Sequence, residues 1–292
     1  MEFELVWELF GLSLIALVAV SASAPVLGAF LFVRRAGFHG VVLPQCATTG
    51  VALGYFVVPW WVATIGLDDH SIEEVIADPH YLEGYLQGWA VGGALVGAWW
   101  AATAERVRGA EAAWLAVLFA VSTSLTMFLR AKAPFAGEAV DALMGGEILL
   151  LDEHGLVIVI ATVALVFAAL FALRLPLLLE VTAPEVARLE TASFRATRWL
   201  FPLVTAGFIG VGVSMVGPYT TFGSLVIPPL AARPFVRSFR GFVGLSVLLG
   251  LAAGIGGAWL SLSTFDVPLG PSVVMVGAVT LLPRLGWRGR GE

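Results

Sequence analysis

The chain has 292 residues, of which 59% are hydrophobic and only 13% are charged, and its mean hydropathy is +0.93. This composition excludes an ordinary soluble domain and predicts an integral membrane protein whose solvent is largely lipid. The net charge of -5 comes without a basic face, so nucleic acid is not an expected partner, and the single cysteine, Cys46, excludes an internal disulfide.

The uncharged runs of the sequence predict the membrane helices, because about 20 apolar residues are needed to cross roughly 30 Å of hydrocarbon. In chain order these runs are 9–33, 36–67, 84–104, 112–129, 154–173, 199–232, 241–265 and 267–283. The run 199–232 is too long for one span and is interrupted at Gly217-Pro218, so it is predicted to form two helices, the second short. We therefore predict an all-α integral membrane protein with about nine transmembrane helices, within a range of eight to ten. They form a single domain over residues 1–292.

The positively charged residues predict the orientation in the membrane. If the N-terminus is outside, fourteen of the sixteen Lys and Arg residues fall in cytoplasmic loops, and only Arg130 and Lys132 lie outside. The opposite orientation would invert this bias, whereas cytoplasmic loops normally carry the excess of positive charge. The sequence thus predicts a multi-pass protein of the cytoplasmic (inner) membrane with its C-terminus in the cytoplasm.

The sequence lacks the motifs of common enzymes. It has no Gly-x-x-x-x-Gly-Lys-Ser/Thr phosphate loop, and its single lysine, Lys132, lies in the unrelated stretch RAKAPFAG. HExxH, CxxC and any recognisable Ser/His/Asp spacing are also absent from the sequence. We therefore expect no enzymatic activity and no cofactor in this chain, which leaves a helical pore or carrier.

Four stretches narrow this class further. They are APVLGAFLFVRRAGFHG (24–40), which runs on into 41–54, DALMGGEILLL (141–151), VGPYTTFGSLVIPPLAARPF (216–235) and DVPLGPSVVMVGAVTLL (266–282). Taken in this order, they resemble the permease subunits of the ATP-binding-cassette importers for zinc, manganese and iron, over about residues 20–285. The resemblance implies a metal-ion importer permease-like helix bundle that forms a translocation pathway.

The family's intramembrane metal motif falls at the start of the second span. In the family, the Asp and His of Gly-Asp-x-Leu-x-His-Ala lie four residues apart on one helix face and share a divalent cation. Aligning Gly40 and Leu43 places Val41 in the Asp position and Gln45 in the His position. Valine cannot ligate a metal, and glutamine offers only a neutral carbonyl. The sequence therefore predicts a pore helix whose metal site has changed.

Cys46 follows Gln45 and lies about 100° further around the helix, so it does not simply replace the imidazole. One interpretation is a soft-metal site in which the Cys46 thiolate binds the ion, with His39 as a second ligand and Gln45 beside it. The other, which we prefer, is a small packing residue at a helix contact, in keeping with Gly50 and Gly54 nearby.

Three further residues are candidates for the translocation pathway. Pro228 and Pro229 remove two backbone donors inside a span, which marks either unwound backbone beside a water-lined cavity or a simple helix kink. Glu147 matches the family's acidic position at the mouth of the fifth helix, where a carboxylate must face water or a partner.

The longest cytoplasmic segment, about 174–198, is the predicted coupling segment. Pro184 and Glu185 suit the first turn of a short helix, because proline lacks only an N–H that is unbonded there and a carboxylate favours the positive helix end. In the resembled family this position docks into the ATPase subunit, and its Pro-Asp/Glu-x-Ala beginning is matched by Pro184, Glu185 and Ala187, with Arg188 next. A solvated amphipathic linker is the alternative.

The resemblance implies the membrane subunit of an ATP-driven importer of a divalent metal ion, of the zinc or manganese class. It also implies a homodimer, a separate cytoplasmic ATPase that hydrolyses ATP and an extracytoplasmic substrate-binding protein. The alternative is a secondary transporter, or a non-transporting membrane subunit, that kept the fold and lost the metal site.

Overall fold

The computed structural model describes residues 3–34, 36–65, 79–104, 110–132, 136–145, 151, 153–182, 191–263 and 267–283. Within these ranges the protein is almost entirely helical and has no strand. The ten α-helices in the described part of the chain are α1 Phe3–Val33, α2 His39–Ile65, α3 Pro79–Ala104, α4 Glu111–Lys132, α5 Ala136–Gly145, α6 Glu153–Thr182, α7 Thr191–Val216, α8 Pro218–Ala232, α9 Phe239–Leu262 and α10 Leu269–Val279. A 3-10 turn, Arg233–Phe235, follows α8.

Each of the nine predicted spans has a helix at its position, so the predicted all-α membrane fold is confirmed. The additional helix, α5, has ten residues and is tied to the end of α4 by an ion pair between Arg130 and Asp141. Six of the described helices, α1, α2, α4, α6, α7 and α9, are long and apolar enough to cross a membrane by length and composition. The shorter α8 and α10 have 15 and 11 residues.

The predicted break in the run 199–232 is also confirmed. α7 ends at Val216, and α8 begins at Pro218, which occupies the first helical position, where its missing N–H costs no hydrogen bond. Gly217 between them has φ 86°, a backbone conformation that strongly favours glycine. Two helices therefore replace one long span.

The boundaries around the predicted coupling segment differ from the expectation. α6 continues nine residues past the predicted end at 173, to Thr182, and α7 begins at Thr191. Most of the segment 174–198 is therefore helical. Arg174 does not stop α6, because its guanidinium lies 3.9 Å from the Phe171 ring centroid and a helix can extend beyond the hydrocarbon into water.

The helices differ in how much of their surface the bundle covers. In the most apolar stretch of each helix, 67% of the residues are buried in α1 and in α2, but only 22% are buried in α6. α1, α2, α7 and α8 share the main core, in which Leu17, Leu43, Phe208 and Leu225 are almost completely buried. α4, α6 and α9 are peripheral and expose large apolar side chains, as expected of surfaces that face lipid or a second membrane chain.

Small residues bring α2 and α3 into close contact. Gly50 and Gly54 of α2 face α3, and Gly93 and Gly97 of α3 face α2, so each helix contributes a Gly-x-x-x-Gly pair. A Cβ at Gly50 would overlap the carbonyl of Trp89, and a Cβ at Gly93 would overlap the carbonyl of Cys46. Backbone contact of this kind is how membrane helices pack tightly without a hydrophobic driving force.

Candidate translocation site

The candidate site is built on the first turns of α2. His39 is the first residue of this helix, is 8% exposed, and its Nδ1 lies 3.1 Å from the carbonyl oxygen of Ala36. The imidazole thus contacts the turn that connects α1 to α2. His39 and Cys46 are seven residues apart, which is roughly 10 Å along a helix axis, so the helix does not bring them together around one ion.

Val41 and Gln45 lie four residues apart on the same face of α2, and both are half-buried. The preceding residue on this face, Phe38, is 43% exposed, whereas the next one, Thr49, is 7% exposed. Along this face the side chains are exposed or half-buried up to Gln45 and buried at Thr49, and Phe56, two turns further, is again 43% exposed. Val41 and Gln45 thus form a half-buried surface at the start of α2, which we call the recess.

The Gln45 side chain adds a polar group to the recess. Its Nε2 is fully enclosed and has no hydrogen-bond partner among the described residues. An enclosed amide without a partner is costly, and water or a polar substrate group at this position would satisfy it. Gln45 supplies a neutral donor and acceptor where the resembled family has an imidazole.

Cys46 lies in a contact between helices. It is 5% exposed and packs in a cluster with Val42, Ala101, Leu115 and Leu118, between α2, α3 and α4. A Cβ at Gly97 of α3 would lie only 2.8 Å from Cys46 Sγ. This is the environment of a small packing residue.

A polar seam joins α2 to α4 one turn beyond Gln45. Thr49 Oγ1 lies 2.9 Å from Thr126 Oγ1 and 3.0 Å from the Ser122 carbonyl oxygen, and Cys46 Sγ lies 3.3 Å from Ser122 Oγ. Each of these side chains is buried. Hydrogen bonds between buried side chains fix the register of two membrane helices, typically at about 0.6 kcal/mol each. The seam therefore fixes α4 against α2 one turn beyond Gln45.

Pro228 and Pro229 lie within the continuous helix α8 and are both buried. The interpretation as unwound backbone is wrong, because the helix runs from Pro218 to Ala232 without interruption. Gly28 of α1 packs on this part of α8, and a Cβ at residue 28 would lie 3.1 Å from Pro229 Cγ. The two prolines thus belong to a helix contact in the core.

The other predicted site residues lie outside the described residues. These are Glu147 and the coupling residues Pro184, Glu185, Ala187 and Arg188. Among the residues that the structure describes, no three His, Cys, Asp or Glu side chains are grouped so that they could hold a metal ion.

Sequence reasoning did not identify Ser122 and Thr126, which form the seam, or Thr220 and Ser224, two fully buried residues of α8. Thr220 Oγ1 and Ser224 Oγ have no hydrogen-bond partner among the described residues. The available signal was a pair of hydroxyl residues spaced by four within an apolar run, since this spacing puts both on one helix face.

Comparison with known proteins finds similarity to membrane proteins of transport systems. The family model of the ABC 3 transport family matches residues 75–286. The high-affinity zinc uptake system membrane protein ZnuB of Haemophilus influenzae is 29% identical over 133 residues, which are 46% of this chain and 51% of the relative. ZnuB of Buchnera aphidicola subsp. Schizaphis graminum is 28% identical over 137 residues, 47% of this chain and 52% of the relative. The chain spans about half the length of these curated relatives.

Among solved structures, the chain is similar to one described as PsaBC from Streptococcus pneumoniae in complex with Fab. The TM-score is 0.74, with 18% sequence identity, and the similarity covers 97% of this chain and 94% of the other. At this identity the likeness concerns the fold alone. It extends over nearly the whole helix bundle.

Proposed function

The chain belongs to the ABC 3 transport family, and on this premise we propose that it is the membrane subunit of an ATP-driven importer of a divalent metal ion, of the zinc or manganese class. The observation that carries this proposal is the family match, which includes the helices from α3 to α10. The relatives named as zinc uptake membrane proteins support the substrate class.

The energy source is proposed to be a separate subunit. The sequence has no phosphate loop, so a cytoplasmic ATPase must hydrolyse the ATP. We propose that it docks at the segment between α6 and α7, through Pro184, Glu185, Ala187 and Arg188. An extracytoplasmic binding protein would deliver the ion to the opposite side of a homodimer.

The orientation proposed is N-terminus outside and C-terminus in the cytoplasm, because fourteen of sixteen positive residues then face the cytoplasm. In this orientation α2 begins at the cytoplasmic side, and the Val41–Gln45 recess lies on the inner part of the pathway. A reporter fused after Arg290 should be active only in the cytoplasm. Activity only on the outer side would contradict the orientation.

We propose that Val41 and Gln45 line the pathway, with Gln45 as its polar group. Without a charged ligand pair, an ion would be held weakly here through the Gln45 carbonyl and water. Weak binding is compatible with passage, since an ion must leave a transport site as well as enter it. Glu147 remains the proposed acidic group at the outer mouth.

The alternative is a secondary transporter, or a membrane subunit that kept the fold but does not carry a metal ion. One observation favours it, namely that both family ligand positions are occupied by residues that cannot form a charged site, Val41 and Gln45. The two functions differ in whether ATP hydrolysis drives movement of the ion.

The test is co-purification from native membranes followed by transport in liposomes. We expect an ATPase subunit to purify with the chain, and reconstituted vesicles to take up zinc or manganese only with ATP. An ATPase variant without its phosphate-loop lysine is the control and should abolish uptake. Uptake that continues without ATP or ATPase would establish the secondary transporter instead.

A further inference from the structure

A cavity of about 170 Å³ lies at the end of the bundle where α1 and α6 end and α9 begins. Most of its lining is apolar, and two arginines and a serine complete it. The lining residues are Val33, Leu178, Arg233, Val236, Arg237, Ser238, Phe239 and Phe242. The cavity thus combines an apolar floor with a positively charged rim.

The positive charge at this cavity is not balanced within its own part of the chain. Arg233 and Arg237 line the cavity and Arg240 follows one turn later, and all three side chains are exposed. The sequence contains no Asp or Glu from residue 191 to 265. Among the side chains that the structure describes, no acidic one lines the cavity or pairs with these arginines. An anion is therefore the complementary ligand.

The start of α9 adds to this preference. Ser238 is the N-cap of this 24-residue helix, and its Oγ accepts a hydrogen bond from the Gly241 N–H at 3.1 Å. Ser238 also lines the cavity, so the positive end of the α9 dipole faces the same space as the two arginines. Helix N-termini together with arginines are suited to phosphate groups.

The apolar surfaces beside the cavity indicate that the phosphate belongs to a lipid. Leu175 lies one turn before Leu178 on α6 and is 65% exposed, and Val243, one turn after Phe239 on α9, is half-buried. Both helices pack on α1, whose Val26 and Val33 are half-buried on one face. These side chains provide an apolar surface for acyl chains. A soluble anion or an acidic protein surface would use the arginines but not this apolar surface.

We propose that this cavity binds the phosphate headgroup of an anionic phospholipid, whose acyl chains lie against α6 and α9. Arg233 and Arg237 contact the phosphate, while Val33, Leu178 and Phe242 exclude water beneath it. Basic pockets at helix ends are recurrent lipid sites in membrane proteins. In the proposed orientation this lipid belongs to the cytoplasmic leaflet. The site is independent of which ion the protein transports.

The experiment titrates the full-length protein in detergent with phosphatidylglycerol or phosphatidylcholine of identical acyl chains, with bound lipid counted by native mass spectrometry. We expect phosphatidylglycerol to bind at least about tenfold more tightly. The Arg233→Gln/Arg237→Gln variant should remove this preference, at about fivefold for each arginine. Arg240→Gln is the matched control. It removes the same charge from the same segment but does not line the cavity, so it should change binding less than about twofold.

Three results would overturn the proposal. Equal effects of Arg237→Gln and Arg240→Gln would mean a general surface charge effect. Displacement of phosphatidylglycerol by inorganic phosphate at similar concentration would identify a soluble-anion site. Loss of a co-purifying ATPase in the double variant, with phosphatidylglycerol binding unchanged, would assign the arginines to a protein contact. Since all three arginines are exposed, these variants are expected to fold.

Discussion

Gly28 of α1 lies directly against the carbonyl oxygen of Leu225 in α8. In a regular helix this oxygen would accept a hydrogen bond from residue 228 or 229, but both are prolines and have no N–H. The bare carbonyl is covered instead by the α1 backbone, at a distance that only glycine allows. Such Cα–H···O contacts recur at helix interfaces. The Pro228-Pro229 pair and Gly28 are therefore one structural unit.

Gly28→Ala should destabilise the protein, because the added Cβ would overlap the Leu225 oxygen and force α1 and α8 apart. Overpacking of this kind costs about 1–3 kcal/mol. Thermal unfolding of the purified protein in detergent should show a midpoint several degrees lower. Gly207→Ala on α7 is the control, because a Cβ there meets nothing within 4 Å. Equal midpoints for the two variants would contradict the proposed contact.

Gly93→Ala should disrupt the α2–α3 contact, whereas Gly92→Ala should not. A Cβ at residue 93 would overlap the Cys46 carbonyl, while one at residue 92 meets nothing within 4 Å. The neighbouring alanine should even stabilise α3 slightly, since alanine exceeds glycine in helix propensity by up to about 1 kcal/mol. The unfolding midpoints of the two variants are the measurement. A lower unfolding midpoint for Gly92→Ala than for Gly93→Ala would mean that α3 packs on α2 with a different face.

The double substitution Val41→Asp/Gln45→His should create a tighter zinc or manganese site. Both positions are half-buried on one face of α2, where a carboxylate and an imidazole four residues apart can share one cation. Calorimetric titration should show at least about tenfold tighter binding than the native protein. Gln45→His alone, with one new ligand, is the control. If the folded double variant gains no affinity, the alignment of α2 must be abandoned.

Cys46→Ser should leave metal binding and transport unchanged. A serine hydroxyl fits the same space and can still reach Ser122 Oγ, which lies 3.3 Å from Cys46 Sγ. Cys46→Leu, by contrast, should lower the unfolding midpoint because Gly97 leaves no room for a larger side chain. Metal titration and thermal unfolding separate the two effects. Loss of metal binding in the folded Cys46→Ser variant would instead establish a thiolate site.

Replacing Glu185 and Arg188 with alanine should weaken association with the ATPase or uncouple ATP hydrolysis from transport. Both residues lie in the segment between α6 and α7, outside the described residues. The amount of ATPase that co-purifies and the ratio of ions moved to ATP hydrolysed are the measurements. Arg174→Ala is a control in the preceding helix, because that arginine contacts Phe171 of its own helix. Unchanged values for both measurements would exclude this segment as the coupling contact.

The site was only partly predictable from the sequence. The family motif located the positions of Val41 and Gln45, and the structure puts both at a half-open face of α2. The seam of Thr49, Ser122 and Thr126 was not predicted, because it joins residues more than 70 positions apart. The sequence favoured a packing role for Cys46 but could not identify its neighbours, since these depend on which helices lie beside α2.

The sequence by itself determined the membrane class, the positions of nine helices and the break at Gly217-Pro218. These features are local, because hydrophobic length and backbone chemistry act within a single segment. The sequence did not determine where α6 ends, since charge at Arg174 marks the edge of the hydrocarbon and not the end of a helix.

Only the tertiary structure decided which face of each helix is buried in protein. In a soluble protein polarity would indicate this, but lipid is as apolar as a protein core, so both faces of a membrane helix carry similar side chains. The contacts of Gly28 with Leu225, Gly93 with Cys46, and the arginine-rimmed cavity at the start of α9 all depend on which helices are neighbours. Those neighbours are fixed by close backbone packing between segments distant in the chain.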